Sequence, residues 1–420
     1  MKASILNIGN ELLSGLVVNT NASFIAQCLD GIGVSVHRID TVSDSGDDII
    51  FVLNHHLQQS DLIIITGGLG PTNDDITKHT LTERFGMKLQ FHQPSFDNII
   101  NMFKNRGLEI SETNRQQAML PDGCIALINT QGTAPGMWFE VDSKIVISLP
   151  GVPFEMNYLM EVEVIPRLKE KVQHLTILRK LYLTTGIPES YLQDRLRDWE
   201  LTLSENTQLA YLPEPGIVKL RLSVSGNNLD RVSQQFDVYE SQLRDILQDE
   251  IFGTNSDTLE SVIGQLLVEK KKTLSVAESC TGGFLAHLIT SVPGSSIYFN
   301  GGVVSYSNQV KAELLKVDPQ LIEKFGAVSQ EVVIAMSQNV RQFMKTDYAI
   351  AISGVAGPDG GSVDKPVGTV WIAIASTESV QAKVFNFGEH RIRNIRRAAI
   401  AALNELRLTL EKQDLYDSKN

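Results

Sequence analysis

Three segments in the final third of the 420-residue chain carry side chains able to open an amide or ester. The strand-like run TLSVA leads into Glu278-Ser279-Cys280-Thr281-Gly282-Gly283 and then a helical pattern. Ser279 and Cys280 are candidate nucleophiles. Backbone N–H groups at a helix start can face an anion or a developing oxyanion, and the two glycines permit close approach. A Ser/Thr helix cap followed by a glycine turn reads the same way on its own. A second segment adds a base: Tyr306-Ser307-Asn308 with Lys311 five residues after the tyrosine, at a strand-to-helix junction. A lysine whose pKa is lowered by burial serves as base to a serine, and a tyrosine hydroxyl relays or orients the proton. The third segment, Ser353-Gly354-Val355-Ala356-Gly357-Pro358-Asp359-Gly360-Gly361, is too glycine-rich and long for a plain turn and suits backbone wrapping around a phosphate or ribose. One or two of Arg391, Arg393, Arg396 and Arg397 could hold a phosphate. Cys280 is intrinsically the better nucleophile, and a helix N-terminus would lower its pKa. Ser279 is favoured all the same, because a Lys/Tyr pair is the device that a poor nucleophile requires.

A different chemistry stands near the start. Strand DLIIIT runs into Gly67-Gly68-Leu69-Gly70-Pro71-Thr72-Asn73-Asp74-Asp75. A glycine-rich strand-to-helix turn exposes backbone donors to phosphate, and paired aspartates beyond it can hold a hard divalent cation that bridges phosphate oxygens and activates water. Acids at a helix start also complement the helix dipole, but the glycine run makes that reading insufficient. Loops Gly9-Asn10-Glu11-Leu12-Leu13-Ser14-Gly15, Gly132-Thr133-Ala134-Pro135-Gly136 and Pro150-Gly151-Val152-Pro153-Phe154-Glu155-Met156 are expected to end other strands at the same edge and form one cleft with it.

The elements that must position these groups follow from periodicity. Residues 1–170 alternate strand-like runs (KASILNIG, VSVHRID, DLIIITGG, KIVISLPG) with amphipathic segments ending near glycine, the pattern of a three-layer α/β domain. Residues 171–253 read as β-α-β-β-α, with PEPG as a hairpin turn, a small α+β domain. The polar stretch GTNSDT marks a boundary, after which residues 254–420 resume the α/β rhythm and end in a frayed tail, QDLYDSKN. The fold class expected is α/β: two three-layer α/β domains joined by a small α+β domain.

Composition excludes several classes. With 42% hydrophobic and 20% charged residues, large-scale disorder is ruled out. No apolar run is long enough to cross a bilayer, and the start lacks the build of a signal peptide, so a cytoplasmic location is expected. Three scattered cysteines (Cys28, Cys124, Cys280) indicate neither a disulfide framework nor a thiolate zinc site. The net charge of −12 argues against a general nucleic-acid or membrane binder. Residues 1–170 hold 11 basic and 20 acidic side chains while residues 254–420 hold 17 of each, so the acidity lies in the domain expected to hold a cation.

ESCTGG, VSYSNQVK, GAVSQE, SGVAGPDGG and KPVGTVW, in that order, closely resemble the C-terminal domain of the CinA (competence/damage-inducible) family, which is similar to nicotinamide mononucleotide deamidase. The resemblance implies an amidohydrolase that converts nicotinamide mononucleotide to nicotinic acid mononucleotide and ammonia without a cofactor. It implies Ser279 as nucleophile, Tyr306 and Lys311 as its activating partners, and Ser353 as the residue opening the SGxAGP motif; Thr281, Gly282, Gly283, Gly354 and Gly357 of the same loops are expected on the substrate together with Ser353. An arginine near the start of the last helix also contacts substrate in that family. Here the stretch reads GEHRIRNIR where the family resembles GDRxxVR, which leaves Arg391, Arg393 and Arg396 as candidates. TGGLGPTxDDxT, GNELLSG, GTAPG and PGVPxEM resemble the molybdopterin-binding superfamily in its CinA branch. That resemblance implies a metal-dependent ADP-ribose pyrophosphatase. On the residues themselves, Gly67, Gly68, Gly70 and Thr72 are expected on the substrate, and Asp74 or Asp75, with Glu11, is expected to hold a divalent ion such as Mg, Mn or Co. Asn10 stands where related motifs carry Asp. The middle segment resembles a KH-type fold, but the turn that would grip nucleic acid reads Gly186-Ile187-Pro188-Glu189, without a second glycine, which points to a spacer or dimerisation role. The expected protein is a bifunctional hydrolase of pyridine nucleotide recycling, a homodimer with small-molecule nucleotides as its partners. The competing readings are a molybdopterin-handling enzyme and a non-catalytic competence or repair partner.

Overall fold

The structure, a computed structural model, describes residues 1–72, 75–106, 109–172 and 176–417. The described residues divide into two compact units, Met1–Ile177 with Gly226–Leu229, and Leu178–Ser225 with Asp230–Asn420.

The first unit is built on strands β1 (Lys2–Ile8), β2 (Ser35–Val42), β3 (Leu62–Thr66), β4 (Leu89–Phe91), β5 (Met119–Pro121), β6 (Ile125–Leu127), β7 (Gly136–Val141) and β8 (Lys144–Leu149). Its helices are α1 (Asn10–Leu13), α2 (Thr20–Gly31), α3 (Gly46–Gln59), α4 (Thr77–Arg84), α5 (Gln93–Arg106), α6 (Glu112–Gln117), α7 (Pro153–Leu159) and α8 (Ile165–Lys171). Six strands form one sheet in the order β2-β1-β3-β8-β7-β6; the first four are parallel and the last two antiparallel. The run LIIIT of β3 is buried on both faces, as a central parallel strand must be. Its Leu62 and Ile64 pack with α2 and α7, and its Ile63 and Ile65 with α3 and α4. That alternation makes three layers, and each such side chain contributes about 2 kcal/mol by leaving water. The sequence reading missed β4 to β7, three of them only three residues long.

In the second unit β9 (Thr176–Thr185), α9 (Glu189–Glu200), β10 (Thr207–Glu214), β11 (Ile217–Gly226), α10 (Leu229–Leu247) and β12 (Ile251–Thr254) form the expected small α+β domain. The polar boundary is partly strand: β12 pairs antiparallel with β9 and completes the sheet β10-β11-β9-β12. The α/β part holds α11 (Leu259–Glu269), β13 (Leu274–Glu278), α12 (Phe284–Thr290), β14 (Phe299–Val304), α13 (Asn308–Glu313), α14 (Pro319–Phe325), α15 (Gln330–Met344), β15 (Tyr348–Gly354), β16 (Thr369–Ala375), β17 (Val380–Asn386) and α16 (Arg391–Asp417). Its sheet runs β14-β13-β15-β16-β17, with the first three strands parallel and the last two antiparallel. Val276, Ile350 and Ile352 face α11, α12 and α16, while Ala277, Ala349 and Ala351 face α15, so this domain also has three layers. The tail expected to fray continues α16 as far as Asp417.

In both large sheets the first strand of the parallel set lies between its second and third. This is the switch point where α/β sheets open a cleft at the strands' carboxyl ends.

Candidate functional site

At the carboxyl end of β13, Lys311 Nζ lies 3.0 Å from Ser279 Oγ and donates to the Ser305 carbonyl at 2.7 Å. Lys311 is 1% exposed although it belongs to a helix of six residues. Ser307 caps that helix by accepting from the Val310 N–H, so the cap turns the lysine inward. Burial lowers the Lys311 pKa, which favours the neutral amine that a base must be. Ser279 is 8% exposed.

Cys280 differs from the expectation. Its thiol is buried, and desolvation pushes its pKa up to about 12, which outweighs the helix start and the nearby Lys311 and Arg391 charges. The thiolate is suppressed, and the serine keeps the base.

The helix-start donors are mostly taken. Glu278, fully buried, accepts from the Gly283 and Leu285 amides through Oε2, both at 3.0 Å, and from the Ala286 amide through Oε1 at 2.8 Å. Gly282 N–H donates to the Ser279 carbonyl, and positive φ at Gly282 and Gly283 lets the chain double back. Among the described residues, the Thr281 amide has no acceptor, and the Cys280 amide has none beyond its own thiol. They are the donors left for an oxyanion. The Thr281 hydroxyl is buried and unpartnered.

Tyr306 makes no hydrogen bond to Ser279 or Lys311 among the described residues. It is 60% exposed, and its hydroxyl accepts from Arg391 Nη2 at 2.9 Å. Arg391 Nη1 donates to the Gly357 carbonyl at 2.7 Å, so this arginine joins the tyrosine loop to the glycine-rich loop over the site. The Tyr306 hydroxyl accepts in this clasp and keeps its own proton. Arg396 does not reach the site; it pairs with Glu214 of the hairpin at 3.9 Å. Arg393 is exposed, and its backbone N–H donates to His390. Ser353, next to Ile352 whose carbonyl accepts from Ser279 N–H, gives its own hydroxyl to the Ala327 carbonyl at 2.7 Å. Gly354 must be glycine because a Cβ would sit 2.8 Å from the Thr369 carbonyl.

In the first unit the expected loops do converge. Gly67 N–H donates to the Leu149 carbonyl at 3.1 Å, and a Cβ on Gly67 would run into the Ile8 carbonyl. Thr77 binds Gly67 and Gly68 through its hydroxyl and N–H, both at 3.1 Å. The Thr133-Ala134-Pro135 loop reaches the same edge because it leads into β7, which runs antiparallel to β8; it begins a strand, where the sequence suggested it ended one. Asn129 and Glu155 hold that loop. Asp74 lies outside the described residues. Asp75 folds back, its Oδ2 accepting from the N–H and hydroxyl of Thr72 at 2.8 and 2.6 Å against Gly70. Glu11 is exposed and turns onto Gly9, and Asn10 N–H donates to Asp44 at 2.9 Å. Among the described residues no three of His, Cys, Asp and Glu come together as a metal cluster. Asp75 is taken up by Thr72 and Glu11 lies against Gly9, so these two carboxylates serve separate turns.

Comparison with known proteins follows the same divisions. Residues 4–170 match the "Probable molybdopterin binding domain" family, residues 179–253 the "Damage-inducible protein CinA KH domain" and residues 256–410 the "CinA C-terminal domain". The chain is 42% identical over 410 residues to a CinA-like protein of Cytophaga hutchinsonii, covering 98% of each chain. It is 44% identical over 405 residues to one of Flavobacterium psychrophilum, covering 96% of this chain and 97% of that one. The chain belongs to the CinA family. A CinA-like protein of Chloroherpeton thalassium is 40% identical over 415 residues, 97% of this chain and 99% of its own length.

Two groups in this CinA chain escaped the sequence reading. Glu278 could have been found, since an acid at a strand end just before a helix complements the helix start. Lys78 could not: it follows Thr77 on α4 beside the glycine turn, donates to the Gln116 carbonyl at 2.8 Å, and burial lowers its pKa to about 8. In sequence it is one lysine on a polar helix.

Proposed function

We propose that this CinA chain is a bifunctional nucleotide hydrolase, with a nicotinamide mononucleotide deamidase in its C-terminal domain and an ADP-ribose pyrophosphatase in its N-terminal domain. The observation that carries the first activity is the buried Lys311 Nζ at 3.0 Å from Ser279 Oγ.

The neutral Lys311 amine takes the Ser279 proton as Oγ adds to the carboxamide carbon. The oxyanion so formed faces the Cys280 and Thr281 amides. Lys311 returns its proton to the departing nitrogen, and ammonia leaves an acyl-serine. Water, deprotonated by the same amine, hydrolyses the ester to the carboxylate and frees Ser279. Arg391, at the rim, is the cation placed to receive the nucleotide's phosphate.

For the N-terminal domain the support is the converged edge at Gly68 and Gly151, whose N–H groups have no acceptor among the described residues and suit a pyrophosphate, with Lys78 as a neighbouring cation. The resemblance to molybdopterin-binding domains supports a second reading, pterin binding at this same edge.

One experiment tests both activities. Purified protein is incubated with nicotinamide mononucleotide, and separately with ADP-ribose and a divalent metal. Ammonia in the first and AMP in the second are expected; silence on both substrates would refute the proposal.

A further inference from the structure

The second unit holds a cleft of about 660 Å³ that neither proposed reaction uses. Its walls are the turn that starts α9, the β10–β11 hairpin and one stripe of α16, with Phe385 and Phe387 near one end. Ligand sites in proteins fall in this size range.

A fixed donor is aimed into it. Asn404 of α16 is 6% exposed, and its Oδ1 accepts from Arg407 Nε at 3.1 Å and Nη2 at 2.9 Å. Arg407 is itself 1% exposed and anchored on Glu411 and the Asp249 carbonyl. Those bonds set the orientation of the amide and direct Asn404 Nδ2 to the cleft, where it has no acceptor among the described residues. It stands 3.4 Å from where a Cβ on Gly186 would be, beside the start of α9.

That helix start is open as well. Pro188 at the cap offers no side-chain acceptor, and the Glu189 and Ser190 amides have none among the described residues. Donors of this kind take an anion. At the other end Phe385 and Phe387 stack at 5.6 Å and 11°, with the Lys383 ammonium 5.2 Å over Phe385. The row Lys383–Phe385–Phe387 is continued by a further flat ring on Phe387. Arg397 gives one nitrogen to the Phe387 carbonyl and keeps the others.

The two ends are matched in length. Arg397 and Asn404 are seven residues apart on one helix, about 10 Å at 1.5 Å per residue, the reach from the ring of a mononucleotide to its phosphate. The lining acids Glu214, Glu250 and Glu405 are paired with Lys219, Arg195 and Lys383. Of the remaining lining charges, Glu189 and Asp249 are matched in number by Arg397 and Lys412.

We propose that this cleft binds a mononucleotide, with its ring against Phe387 and its phosphate at the start of α9 and Asn404. The site is separate from Ser279 and from the N-terminal glycine turn, so it stands or falls independently of either hydrolysis. The test titrates AMP, and in parallel nicotinic acid mononucleotide, into the full-length protein by calorimetry. Phe387→Leu keeps an apolar side chain and removes the plane; about tenfold weaker binding is expected. Glu189→Gln removes an opposing charge and should tighten binding several-fold. Both variants should release ammonia and AMP from the two substrates at the wild-type rate. Titrations of both variants that superimpose on the wild type, or no binding of either nucleotide, would overturn the proposal.

Discussion

Ser279 and Lys311 are adjacent because a short capped helix turns a charged side chain into the core, and the lysine's lowered pKa follows from that burial. Ser279→Ala is expected to abolish ammonia release from nicotinamide mononucleotide, whereas Cys280→Ala should keep most of it, because a thiol at about 12 is protonated at neutral pH. The reverse result in a purified ammonia assay would move the nucleophile to Cys280. A base works when neutral, so kcat/KM should rise with pH and level off once Lys311 is deprotonated. The lowered pKa places that plateau below the ordinary lysine value of about 10.4. Lys311→Arg, cationic at every accessible pH, should be inactive throughout, and a rising limb retained in that variant would exclude Lys311 as the base. Glu278→Gln keeps shape but cannot accept all three amides. If the carboxylate fixes the nucleophile's turn, kcat falls tenfold or more with an unchanged KM and a native circular dichroism spectrum.

At the scale of elements, what the sequence displays is periodicity and glycine. The central strands, the helices on both faces and the turns ESCTGG and TGGLG follow from those signals, and Ser279 and Lys311 follow from spacing. A three-residue antiparallel addition such as β6 has no pattern of its own, because pairing with a neighbour creates it, whereas β17 carries the alternation VQAKV and was still missed. The arginines were ambiguous for a related reason. Arg391 and Arg396 sit five residues apart on one helix, and only the packing of that helix sends one to Tyr306 and the other to Glu214. The turn after β3 is more constrained than its sequence alone suggests. Gly67→Ala meets the Ile8 carbonyl at φ 112°, so ADP-ribose hydrolysis should fall tenfold or more and thermal unfolding should show a loss of about 2 kcal/mol. A variant with wild-type activity and stability would show that the backbone there accommodates a side chain.

On the whole-molecule scale the two proposed activities belong to different compact units. Asp75→Ala, which frees Thr72 from its turn, should lose AMP release from ADP-ribose while ammonia release stays at the wild-type rate. A parallel loss of both would mean that the units are coupled. The order of elements along the chain has a consequence for biosynthesis. Met1–Ile177 contains a complete three-layer sheet, whereas Arg391, the residue that clasps the loops over Ser279, comes 214 residues later, at the start of α16. At about 5 to 20 residues per second the ribosome needs roughly 10 to 40 s to bridge that interval. The first unit should therefore be folded and protease-resistant on nascent chains that still lack the clasp. Deamidation, which awaits α16, should switch on only once that helix has been synthesised.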